Sequence, residues 1–171
     1  FSDEPGAVPD TVNNIYHLHE LYSKADPSYT GRVTVPTLWD IEKQTIVNNE
    51  SSEIIRMFNS AFDELTGNNN DYYPEELRTE IDAINEIVYA NVNNGVYRTG
   101  FAASQEAYEE AFDWLFSTLD DLEERLSQQR YLVGGHLTEA DWRLFSTLLR
   151  FDIVYYGHFK CNKKHIYEYP N

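Results

Sequence analysis

The chain has 171 residues, enough for one domain or for one domain with part of another. It is 42% hydrophobic and 15% aromatic, which supports a packed core and excludes a disordered chain. Thirteen basic residues against 29 acidic ones give a net charge of −16, which argues against nucleic-acid and membrane partners. The carboxylates are spread along the whole chain, as on a solvated acidic surface.

A single cysteine, Cys161, excludes an intrachain disulfide framework and makes a reducing, cytoplasmic setting the default. No apolar run reaches the 18 residues of a membrane span, and no basic-then-apolar leader is visible. The chain opens on Phe1 rather than Met and stops at Tyr169-Pro170-Asn171, so the expectation is an incomplete chain.

In chain order, residues 1–9 carry Pro5, Gly6 and Pro9 and read as irregular. Val12, Ile15, His19 and Tyr22 recur at helical spacing and predict a helix to about residue 24, stopped by Asp26-Pro27-Ser28. Two β-type runs, from Val33 to Asp40 and from Gln44 to Val47, predict a hairpin. Pro36 inside the first run implies an edge, a bulge or a special peptide bond. A helix is then expected with Ser51 or Ser52 at its start and Ile54 or Ile55, Phe58 and Phe62 on its apolar face.

Residues 64–74 are mostly polar and read as a linker, which separates a unit at 1–63 from a helical unit at 75–171. Three apolar stripes follow: Leu77, Ile81, Ile84, Val88; then Tyr108, Phe112, Leu115, Leu119, Leu122, Leu126; then Leu144, Leu148, Phe151, Tyr155. Asn93-Asn94-Gly95 is expected to break the first helix from the second, and Gly134-Gly135 the second from the third. Thr138 with Asp141 three residues on has the form of a capping box, with Leu137 and Trp142 as its hydrophobic staple.

One constellation has the form of a ligand half-site. Val35-Pro36 held cis would turn the Val35 main chain toward an extended peptide. Ser51 at a helix N-terminus suits a carboxylate, Glu50 suits an ammonium, and Arg32 suits a second carboxylate. The bland alternative is an edge proline beside a serine-capped helix. With 13 tyrosines in the chain, any one of them is first a structural aromatic. His17-Leu18-His19 and the His158, Cys161, His165 group fall short of a zinc site, and no phosphate loop or paired-carboxylate spacing stands out.

The string Arg32-Val33-Thr34-Val35-Pro36, Leu38-Trp39-Asp40, then Asn49-Glu50-Ser51, resembles the glutathionyl-hydroquinone reductases, the xi class of the glutathione transferase superfamily. The resemblance runs on through Val92-Asn93-Asn94-Gly95-Val96-Tyr97, Leu137-Thr138-Glu139-Ala140-Asp141 and His158-Phe159-Lys160-Cys161. It implies an α+β chain: the C-terminal part of a thioredoxin-like domain, then an all-α glutathione-transferase C-terminal domain. It further implies glutathione as substrate, no metal, a homodimer, and reduction of glutathionyl-hydroquinones with release of glutathione disulfide.

By the same resemblance Arg32, Val33, Thr34, Val35, Glu50 and Ser51 bind glutathione. Tyr97 is the catalytic tyrosine at the quinol oxygen, and Tyr155 lies near the reactive thiolate, with Tyr156 as its register alternative. The family's nucleophile sits in a Cys-Pro-Trp motif that this sequence does not contain, and Cys161 matches a cysteine without a catalytic role. Two other readings stay open: a non-catalytic binding or assembly module, and an ordinary glutathione S-transferase.

Overall fold

A computed structural model of the protein describes residues 5–171, which divide between Asn69 and Asn70 into two compact units. The first unit holds α1 (Leu18–Ala25), a hairpin of β1 (Leu38–Asp40) and β2 (Thr45–Asn48), α2 (Ser51–Ser60) and the short α3 (Asp63–Thr66). The strands pair antiparallel, Trp39 opposite Ile46 and Asp40 opposite Thr45, with an irregularity after Leu38.

Helix α1 starts six residues later than the stripe from Val12 implied. Val12 is exposed and His19 with it, while Leu21 and Tyr22 are the buried residues. The reason is local: Glu20 accepts the main-chain N–H of Tyr16 and of His17, which fixes the helix start at Leu18. The Val33-to-Asp40 run is also shorter as strand than expected. The Val35–Pro36 bond is cis, and the residues before Leu38 leave the ladder. On α2 only Ile54 is buried; Phe58 and Phe62 are about half exposed, and Phe62 lies beyond the helix end. The expected linker holds α3 at its start, with Gly67 closing it in the left-handed region.

The second unit is helical: α4 (Arg78–Val88), α5 (Gly95–Gly100), the 24-residue α6 (Gln105–Gln128), α7 (Glu139–Arg150) and α8 (Tyr156–His158), with short 3-10 turns at Glu75–Leu77 and Ile166–Glu168. The three stripes meet in one core. Ile81, Val88, Val92, Val96, Leu115, Phe116, Leu132, Val133, Phe151 and Cys161 are all sealed from solvent.

Asn93-Asn94-Gly95 does not break the chain. Tyr89–Asn93 winds as a π-helix between α4 and α5, the Asn94 N–H bonding to the Tyr89 carbonyl. A second π segment, Phe151–Tyr155, joins α7 to α8. Asn93 is consumed by packing: its amide donates to the Thr147 hydroxyl at 2.7 Å and to the Arg143 carbonyl at 3.0 Å. Gly134 does break the chain. Its φ is +66°, and an added Cβ would come within 2.8 Å of Leu77.

The N-terminus of α7 brings buried polar groups together. Thr138 donates its N–H and its hydroxyl to Asp141, whose other oxygen takes the Leu132 N–H. Beside it the buried Glu139 takes the Asn85 amide at 2.9 Å and the Arg143 guanidinium at 3.3 Å. Trp142 meets Tyr72 and Phe145 edge-on. Removing one partner of a buried ion pair strands the other charge away from water. Arg143 keeps 18% of its side chain exposed, so Arg143→Met is expected to cost about 2 kcal/mol, under the cost for a fully enclosed pair. The urea midpoint of unfolding checks this.

Candidate functional site

The first unit presents the half-site residues around the end of its hairpin. Arg32, Val35, Glu50 and Ser51 are exposed; Val33 and Thr34 are partly covered. Thr34 is the anchored member. Its carbonyl accepts the buried Tyr22 hydroxyl at 2.8 Å and the Thr37 hydroxyl at 3.1 Å, and its own hydroxyl takes the Asn49 amide at 3.2 Å. Asn49 also donates to Tyr22 at 3.1 Å. This network ties the 32–36 segment to the residue just before Glu50.

Glu50, not a serine, is the N-cap of α2: its carboxylate accepts the Ser52 N–H at 3.3 Å and the Ser52 hydroxyl at 3.1 Å. The capping residue is therefore a charged acceptor, which the helix N-terminus favours. Ser51 follows as the first helical residue, exposed. The Arg32 carbonyl is held by the Tyr29 hydroxyl at 2.7 Å.

In the second unit Tyr97 and Tyr155 come together. Their hydroxyls lie 3.1 Å apart and their rings meet edge-on at 5.6 Å. Tyr155, on the π segment, is 2% exposed; Tyr97, on α5, is 40% exposed. Arg150 donates its Nε–H to the Tyr155 oxygen at 3.3 Å. The hydrogen bond to Tyr155 raises the Tyr97 phenol above its ordinary range, burial adds to this, and the Arg150 charge opposes it.

Tyr156 is elsewhere, stacked on His165 at 3.6 Å. Residue spacing alone did not bring in Phe101 and Phe159, which complete the pair's surroundings. Phe159 stands edge-on to both tyrosines at 5.4 Å, and the exposed Phe101 stacks near Tyr97 at 6.3 Å and meets Phe159 at 5.3 Å. A two-tyrosine, two-phenylalanine cluster with one open side suits an aromatic ring bearing a hydroxyl.

Cys161 is sealed in the core. Burial pushes its thiol up to about 12, against a weaker pull from Thr99. Such a thiol stays neutral at physiological pH and is not a nucleophile. His17 lies in extended backbone before α1, so its ring stacks on His19 at 5.5 Å instead of diverging as two helical neighbours would. Among the described residues no group of three or more His, Cys, Asp or Glu could hold a metal, and no helix is long and apolar enough to cross a membrane.

Comparison with known proteins bears on both regions. Residues 105–171 match the family model described as the glutathione S-transferase C-terminal domain. Glutathionyl-hydroquinone reductase PcpF of Sphingobium chlorophenolicum is 61% identical over 96% of this chain and 52% of its own length. The glutathione-bound structure of YqjG, a glutathione transferase homolog from Escherichia coli K-12, superposes with a TM-score of 0.95 at 57% identity, covering 98% of this chain and 54% of that one. Glutathione transferase Xi 1 from Trametes versicolor gives 0.94 at 56% identity, over 98% and 59%.

Over nearly its whole length this chain is similar to the xi-class glutathione transferases. It spans about half the length of the curated relatives it matches. Its architecture is the α+β one expected: a small hairpin-and-helix unit of thioredoxin-like type, then the transferase helical unit.

Gly100 is what lets the aromatic cluster close, because an added Cβ would overlap the Phe159 ring. Gly100→Ala is expected to displace Phe159 and disturb the Tyr97 ring, read as a change in near-ultraviolet circular dichroism with the helical signal retained. Cys161 is expected to resist iodoacetamide in the native protein at pH 8 and to react fully once unfolded. The raised thiol also sets a sign for stability. Its contribution is complete below the ordinary thiol value of 9.0 and is lost as pH rises toward about 12. Cys161→Ala should lack that part of the alkaline loss.

Proposed function

We propose that this chain carries the glutathione-binding and quinol-handling parts of a glutathionyl-hydroquinone reductase. The observation that supports this most is the Tyr97–Tyr155 hydroxyl pair inside an open-sided aromatic cluster. The relatives add the reaction and the ligand: PcpF is named a glutathionyl-hydroquinone reductase, and YqjG was solved with glutathione bound.

In this reading the Val35 main chain pairs with the glutathione peptide. Glu50 takes its α-ammonium, the Ser51 hydroxyl and N–H take a carboxylate, and Arg32 takes the other. Val33 and Thr34 hold the segment in place. Tyr97 exchanges a proton with the quinol oxygen. Tyr155, with Arg150 behind it, favours negative charge beside it, on that oxygen or on the attacking sulfur.

The reaction balances as two thiol exchanges. A nucleophilic thiolate attacks the glutathione sulfur of the substrate, and the carbon–sulfur bond breaks with its electron pair going to the ring, which takes up a proton. The mixed disulfide is then cleaved by a second glutathione thiolate, releasing glutathione disulfide and the first thiolate. Cys161, buried and neutral, does not supply that thiolate, so the proposal places the nucleophile outside these 171 residues, in a protein that is cytoplasmic and homodimeric.

The same buried cysteine favours a second reading, a glutathione-binding module without chemistry. Turnover of a glutathionyl-hydroquinone by the full-length protein separates the two: reduction supports the enzyme, and glutathione binding with no reduction supports the module.

Glu50→Gln keeps the capping oxygen and removes the charge, so it is expected to weaken glutathione binding by about 1–3 kcal/mol without unfolding α2. Calorimetric titration with glutathione checks this, and Ser51→Ala should fall in the same range. Tyr97→Phe is expected to leave that affinity unchanged and lower kcat by about 10²-fold or more; an unaltered rate would remove Tyr97 from the chemistry.

A further inference from the structure

The Tyr97–Tyr155 pair is symmetric on its own, since either hydroxyl can donate to the other. Arg150 removes that symmetry. A guanidinium has no acceptor, so the Tyr155 oxygen accepts from Arg150 Nε and its single proton has to go elsewhere. The Tyr97 oxygen, 3.1 Å away, is the one acceptor found for it among the described residues. The Tyr97 proton is then turned from the buried ring toward the open side, where Tyr97 is 40% exposed.

We propose that Arg150 is a positioning residue that sets the direction of a hydroxyl relay, Arg150 to Tyr155 to Tyr97, so that Tyr97 presents its proton outward to an aromatic substrate. In the reverse direction Tyr97 would give its proton to Tyr155 and offer the substrate only lone pairs.

Three further observations fit. Arg150 has no carboxylate within ion-pair distance among the described residues, in a chain with more than twice as many acidic as basic residues, so its charge is not neutralised by a neighbour. Arg150 is exposed, so its guanidinium carries little packing. Tyr155 and Arg150 are the titratable and charged groups that bear on Tyr97; the other rings against it, Phe101 and Phe159, carry none. The contact with the Tyr155 hydroxyl keeps the Tyr97 phenol raised, so Tyr97 holds its proton until a substrate takes it, and the Arg150 charge offsets part of that rise.

The inference rests on the reading of Tyr97 as the proton-exchanging hydroxyl, and its test separates the two. Full-length protein labelled with ¹³Cζ-tyrosine, its signals assigned with Tyr97→Phe and Tyr155→Phe, reports the Tyr97 proton without any reaction. In Arg150→Met the Tyr97 titration midpoint is expected to rise by about one pH unit, as both the charge and the fixed donor are lost. Arg150→Lys should restore most of the shift, and Arg150→Gln, a donor without charge, only part of it.

With a glutathionyl-hydroquinone as substrate, Arg150→Met should lower kcat about tenfold, leave KM unchanged, and move the alkaline limb of the rate with the NMR midpoint. A Tyr97 midpoint that does not move in Arg150→Met overturns the relay whatever the rate does. A midpoint that moves while the rate stays constant supports the relay and counts against Tyr97 in the chemistry. A rate loss carried by KM alone shows Arg150 binding substrate directly and overturns the positioning role.

Discussion

The amide of Asn93, bonded to the Thr147 hydroxyl and the Arg143 carbonyl, joins the two places where the helical unit changes its winding. Asn93 ends the first π segment, and Thr147 lies one turn before the second. A π turn holds one residue more than an α turn, so every side chain after it is rotated by about 100° from where an uninterrupted α-helix would point it. Tyr97 follows the first such turn and Tyr155 ends the second. Their hydroxyl contact therefore depends on both changes of winding and on the amide that couples them.

Around that coupling the helical unit keeps its polarity local. The buried Glu139 is matched by Asn85 and Arg143, and the capping carboxylate of Asp141 closes both the start of α7 and the Leu132 N–H. The sulfur is placed in the apolar core, where it is neutral, while Tyr97 and Phe101 face outward with Tyr155 and Phe159 packed behind them. In the first unit the same economy holds on a smaller scale: Tyr22, Thr34, Thr37 and Asn49 satisfy one another and leave Glu50, Ser51 and Arg32 at the surface.

Much of this was legible from residue order. The stripes through Ile81, Leu115 and Leu144 belong to the core because helical spacing reports burial directly. The errors have physical causes. The stripe from Val12 overran because a carboxylate at Glu20 captured two N–H groups and set the helix start. Asn93-Asn94-Gly95 read as a break because those residue types are usually found outside helices. Here one asparagine is bonded to a neighbouring helix, which local propensity does not register. Ser51 and Ser52 drew attention as caps when the carboxylate before them does the capping.

The sequence by itself determined the α+β class of chain, the helical core faces and, through its strings, the resemblance to the xi class. Those rest on periodicity and residue identity, which are written along one dimension. Only the tertiary structure decided that Tyr97 meets Tyr155 and not Tyr156, that Phe101 and Phe159 enclose them, and that Arg150 stands behind the pair. Fifty-eight positions separate the two tyrosines, and their approach depends on how two π turns rotate side chains and on which groups the core seals from water.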